Sequence, residues 1–197
     1  TYRIVPCGVQ PTFPSSLRSG EGWLENHFYR IELDPATGAI ASLYDKELGR
    51  EWVDSRSSHG VNRLLVRSPR TGEVQAAGHA EITRGEGGPV CASLIVQGSA
   101  PGCPQMTQEI TLYDSLKRID LANRLLRDST PFLEHYFAFP FAGERPRFRF
   151  EAPNAVIEPV RDQLPGSNTD AYAVQHWVTV ADERGTLAWS PLEAPVV

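Results

Sequence analysis

Residues 28–45, FYRIELDPATGAIASLYD, constrain this chain more tightly than any other stretch. Phe28, Arg30, Glu32 and Asp34 alternate with Tyr29, Ile31 and Leu33, and after a break Ile40, Ser42 and Tyr44 alternate with Ala41, Leu43 and Asp45. Strict alternation is the period of a strand with one wet and one buried face. Between the two runs stands Asp34-Pro35-Ala36-Thr37-Gly38, where proline presets one φ and glycine permits a positive one. Two alternating runs around such a turn predict a β-hairpin.

The rest of the chain repeats the theme. The opening residues, TYRIVPC, read as a first short strand, and residues 9–23 as a loop punctuated by Pro11, Pro14, Gly20 and Gly22. Residues 45–60 read as a single helical turn or a loop, because Gly49 interrupts any longer helical pattern. Strands are predicted at Leu64–Val66, weakly at His79–Thr83 before a turn at Gly85–Gly88, and at Ala92–Gln97 and Met106–Tyr113 around a loop at 98–104. Further strands are predicted at His135–Phe141, which Pro140 should end, and at Arg147–Phe150. Val174–Ala181 and Thr186–Trp189 read as a last hairpin. For Leu116–Leu126 the spacing of Leu116, Ile119, Asn123 and Leu126 also suits a helix, but strands on either side favour a strand. No repeat of about 20 to 50 residues is visible, which disfavours propellers and solenoids. Many short strands at close spacing predict an all-β fold, a large antiparallel β-sandwich, in a single domain spanning residues 1–197.

Composition excludes some functions. A formal charge of −5, with 22% charged residues, supplies no basic surface for nucleic acid. No apolar run reaches the roughly 18 residues of a membrane helix, and the start lacks the charged-then-apolar order of a signal peptide. Beginning with TYRIVPCG and no Met, the chain is expected to be a piece of something longer. Cys7, Cys91 and Cys103 are odd in number and lack zinc spacing, which suits free thiols in a cytoplasmic protein.

The segment LENHFYRIELDPATGAIASLYDK, from residue 24, resembles the opening of the C-terminal β-domain of glycoside hydrolase family 38, the α-mannosidases. The resemblance continues through TQEITLYDSLKRIDLANRLL (107–126), HYFAFPF (135–141) and DQLPGSNTDAYAVQHWVTV (162–180). It implies a galactose-mutarotase-like supersandwich within a retaining, zinc-dependent α-mannosidase acting on mannose-containing glycans. In that family the zinc, the aspartate nucleophile and the acid residue all lie in a preceding catalytic domain. The resemblance therefore carries no catalytic or metal-binding residue onto this chain, and it implies that the N-terminal catalytic domain of the same polypeptide is its partner.

The residues themselves agree on the chemistry. A retaining glycosidase needs two carboxylates about 5 to 5.5 Å apart, but among 24 acidic residues none has a local context that marks a nucleophile. Asp34 and Asp182 read as turn residues, and Glu109 and Asp120 as outward-facing strand residues. The five histidines are scattered singly, without metal-ligand spacing. The best candidates for a substrate-proximal role lie between residues 161 and 177: Asp162, Gln163 and Asn168, which can fork onto hydroxyls, then Tyr172, Gln175 and His176. Against this stands a purely structural role for the same loop. Two other readings remain: a stand-alone carbohydrate-binding sandwich, and an aldose-epimerase-like enzyme using a His and a Glu as acid and base. Arg147 and Arg149 read as an exposed strand face rather than an anion groove.

Overall fold

The computed structural model describes residues 8, 13–193 and 196–197. The first strand expected in TYRIVPC lies outside them. Among the described residues there are sixteen strands and no helix, in four antiparallel sheets. The first half supplies β1 (Arg18–Gly20), β2 (Trp23–Glu25), β3 (Tyr29–Leu33), β4 (Ile40–Asp45), β5 (Arg50–Glu51), β6 (Arg63–Arg67), β7 (Val74–Ala76) and β8 (Glu81–Gly87). The second half supplies β9 (Cys91–Ala100), β10 (Cys103–Tyr113), β11 (Ile119–Leu126), β12 (Glu134–Ala138), β13 (Arg147–Ala152), β14 (Ala155–Ile157), β15 (Val178–Asp182) and β16 (Gly185–Trp189).

The 28–45 hairpin forms as β3 and β4, paired from Tyr29↔Asp45 to Leu33↔Ile40. Asp34 builds its turn: Oδ1 accepts the N–H of Ala36 (2.9 Å) and Thr37 (2.8 Å), and the Asp34 carbonyl accepts that of Gly38 (2.8 Å). Gly38 has φ +70, and a Cβ there would come within 2.2 Å of Val96 Cγ1, so both backbone and space demand glycine. One detail differs from strict alternation. A bulge after Glu32 leaves Ala41 unpaired, so Ile40 and Leu43 are both buried although they stand three positions apart, where strict alternation would put them on opposite faces.

Sheet β1-β2-β3-β4-β5 packs against sheet β11-β10-β9-β8 as a sandwich. Leu24, Ile31, Leu33, Ile40 and Leu43 from one meet Ala92, Leu94, Val96, Ile110 and Leu112 from the other, with Trp52 and Val61 closing the core. On β10 from Met106 onward the buried residues are Met106, Gln108, Ile110 and Leu112, one face of its alternation. The segment that also suited a helix is strand β11, because its register with β10 runs unbroken from Leu126 to Ile119. The third sheet, β12-β6-β7, joins through Leu64, Cys103 and Met106. Side-chain amides, buried at Asn62 and Gln108 and half-buried at Asn123, knit it in: Gln108 Nε2 donates to the Asn62 carbonyl (2.8 Å), and Asn62 and Asn123 exchange side-chain hydrogen bonds at 3.0 and 2.8 Å.

Other boundaries moved. The expected loop 9–23 holds β1 and β2, whose cross-strand pairs to each other and to β3 supply the order its glycines and prolines hide. Gly85 to Gly87 belong to β8 and the turn falls later; β9 and β10 run almost to the Pro101-Gly102 corner, shrinking the loop expected at 98–104. Residues 45–60 hold the short strand β5 between turns rather than a helical turn.

Candidate functional site

The fourth sheet, β14-β13-β15-β16, carries the segment with the sequence-predicted site residues. Registers Phe148↔Val180, Phe150↔Val178 and Val180↔Leu187 put the apolar side chains on one face. That face reaches the sandwich through Trp189 on Phe139 (ring centroids 4.5 Å) and Leu187 on the main core. Arg147, Arg149, Thr179 and Ala188 occupy the opposite face, so the two arginines form a wet face as expected.

A buried ion pair fastens this sheet to the sandwich. Arg50 Nη1 and Nη2 donate to Asp182 Oδ1 (2.6 Å) and Oδ2 (2.8 Å), with side-chain exposures of 5% and 2%. Nη2 also donates to the Ala142 carbonyl, and the guanidinium lies 3.9 Å from the Trp52 ring centroid. The Glu144 and Arg184 amides complete the shell around the carboxylate. Arg50 above all, seconded by these amides against the opposing effect of burial, holds the Asp182 carboxyl far below the usual range. Sequence reading took Asp182 for a plain turn residue. Its partner stands 132 positions away, and no local pattern links the two.

From Glu158 to His176 the chain forms a loop closed mostly on itself. Asp162 Oδ2 accepts the Glu158 N–H (2.8 Å) while its own N–H returns to the Glu158 carbonyl (3.0 Å). Gln163 is the hub: Oε1 accepts the Tyr172 hydroxyl (2.9 Å) and the Val160 N–H (2.8 Å), and Nε2 donates to the Asn168 carbonyl (3.0 Å). Asn168 Oδ1 caps the Asp170 amide. Tyr172 packs edge-on against Phe150, centroids 5.1 Å apart. The structure thus gathers Gln163, Asn168 and Tyr172 and holds Asp162 in the adjoining turn.

Gln175 and His176 sit elsewhere, along β13. The Gln175 amide donates to the Glu151 carbonyl (2.9 Å), and His176 Nδ1 lies 3.0 Å from Glu151 Oε2. This is a histidine–glutamate pair, but the imidazole is 76% exposed on an open surface, which is poor ground for acid–base work on a sugar held out of water. The loop also projects apolar side chains outward: Val160 is 69% exposed and Leu164 81%. Val160 adopts φ +69, a conformation that costs a β-branched residue energy.

Carboxylates elsewhere are engaged structurally. Asp120 is held by Arg118 and Tyr113, Glu158 by Arg149 and Arg161, and Asp45 by Lys117 and the amides of Glu47 and Leu48. Among the described residues no three of His, Cys, Asp and Glu come together as a metal-binding group. A family model described as the glycosyl hydrolases family 38 C-terminal domain matches residues 24–190. A search of curated proteins finds no match.

Proposed function

The chain belongs to the family of glycosyl hydrolases family 38 C-terminal domains, and from that premise we propose that it is the non-catalytic β-domain of a retaining, zinc-dependent α-mannosidase. In this reading residues 1–197 are one domain of a longer polypeptide, and the zinc, nucleophile and acid residue belong to its N-terminal catalytic part. This domain braces that part and brings the 158–177 loop toward the glycan. The location is cytoplasmic, in keeping with free thiols at Cys91 and Cys103.

One observation carries the bracing role. The C-terminal sheet and its loop leave Phe148, Val156, Val160, Leu164 and Leu192 in water, while of their own aliphatic and aromatic side chains only Val174, Val178 and Val180 are buried among the described residues. Apolar groups held out on an ordered frame mark a surface that another element covers. The test compares the complete polypeptide with this chain, using an aryl α-mannoside. The complete protein should hydrolyse it and lose activity to a zinc chelator; this chain alone should be inactive. Leu164→Asp and Leu192→Asp should lower the temperature at which the complete enzyme inactivates and leave this chain's own melting unchanged. Hydrolysis by this chain alone, or no effect of either substitution on the complete enzyme, overturns the reading. Gln163→Ala, placed in the complete enzyme, should reduce kcat/KM; an unchanged value removes the loop from the glycan's neighbourhood.

A further inference from the structure

A second concavity lies apart from that loop, beside the turn of the first hairpin. It has a volume of about 400 Å³, and its lining includes Asp34, Thr37, Ser57, Ser58, His59 and Arg63. That size falls within the range of small-molecule sites.

Arg63 is the unusual member. It is only 8% exposed and forms no ion pair among the described residues. Its guanidinium donates to two carbonyls, Thr37 at 2.6 Å and Ala77. A guanidinium has five N–H groups, so these two bonds leave donors over. Asp34 lines the same concavity; its Oδ1 is used by the turn amides while Oδ2 has no partner among the described residues. Each carries a charge that favours the other's ionised form, yet the two form no ion pair among the described residues. Asp54, the other carboxylate in the lining, is neutralised by Arg56 through two bonds of 2.9 Å.

The lining thus offers a spare cationic donor and a spare anionic acceptor, together with serine hydroxyls and an imidazole. An anion would meet Asp34, and a cation would meet Arg63. An uncharged diol satisfies both: one hydroxyl donates to the carboxylate while its neighbour accepts from the guanidinium. We propose that this cavity binds an uncharged polyhydroxylated ligand, of the vicinal-diol class that pyranose sugars present, between Asp34 and Arg63. The site stands on its own donor and acceptor set. It survives or fails independently of the glycosidase reading, because its readout is binding to this chain and not hydrolysis.

Amide NMR of the full chain, titrated with D-mannose and separately with inorganic phosphate, tests it. Mannose should give saturable shifts confined to Thr37–Gly38 and Ser57–Arg63, and phosphate should give none. Asp34→Asn retains the Oδ1 acceptor that the turn needs but loses the charge. It should weaken mannose binding about tenfold or more, the worth of one charged hydrogen bond, with melting temperature unchanged. Should Asp34→Asn melt early, His59→Ala on the outer loop decides in its place, with weaker binding expected. Absence of saturable shifts at these amides, phosphate saturating the same amides, or undiminished mannose binding in a folded variant overturns the proposal.

Discussion

The main sandwich and the C-terminal sheet are both antiparallel, yet they are held by different means. In the sandwich, apolar faces of two sheets meet and exclude water on their own, from Leu24 and Ile31 across to Leu94, Ile110 and Leu112. Beyond residue 141 the buried apolar residues among those described are Val174, Val178 and Val180. The C-terminal sheet holds its place through the Arg50–Asp182 pair, the Trp189–Phe139 contact and Leu187. The two regions thus differ in what holds them: apolar faces buried against each other in one, a polar latch and a few ring and leucine contacts in the other.

The comparison can be broken from the sandwich side first. Trp52→Ala removes a fully buried ring that also supports Arg50, and should cost about 3 to 5 kcal/mol. Chemical denaturation should then show both regions unfolding together; a loss confined to one region would contradict the shared seam at Trp52. Gly38→Ala comes next, at about 2 to 4 kcal/mol, because a left-handed alanine is strained and its Cβ must displace Val96. Thermal melting checks it, and a neutral result would mean that the turn relaxes away from β9.

Asp182→Asn should act more locally. Hydrogen exchange should rise across residues 142–193 while β9 and β10 keep their protection; uniform loss would show that the two regions are one cooperative unit. The latch also carries a pH signature. The folded Asp182 carboxyl lies below the value of about 3.9 that an unfolded aspartate has, so its stabilisation is complete above about pH 4. It is lost as pH falls through the folded value, since protonation then costs the native state its ion pair. The acid limb of a pH–melting curve should therefore flatten in Asp182→Asn. The smallest effect belongs to Arg149→Ala on the wet face, whose pairing with Glu158 is solvent-exposed. Melting should be unchanged within error, and a measurable drop would show that this face is not simply solvated.

Much of the fold was legible because sheets advertise themselves locally. Alternation in 28–45 and 106–113 marked strands, although the bulge at Ala41 moves Ile40 off the face that alternation gives it, and Asp34 to Gly38 marked the turn. Strands β1, β2, β7 and β14 were not visible: each has three residues, too few to show a period, and is held by pairing with a neighbour. The candidate site was half legible. Gln163, Asn168 and Tyr172 do come together, but on each other, and Gln175 and His176 lie apart along β13.

By itself the sequence determined the fold class, the first hairpin and its glycine, and a family resemblance that the family match over residues 24–190 bears out. Those depend on neighbours a few positions apart, where backbone sterics and side-chain alternation act. The tertiary structure alone decided the bulge at Ala41, the amide network of Asn62, Gln108 and Asn123, the Arg50–Asp182 latch, and the gathering of Asp34 and Arg63 in one concavity. The physical reason is that a polar group's role depends on what meets it after burial. The partners that meet these groups arrive from distant strands, at positions that no short window of sequence contains.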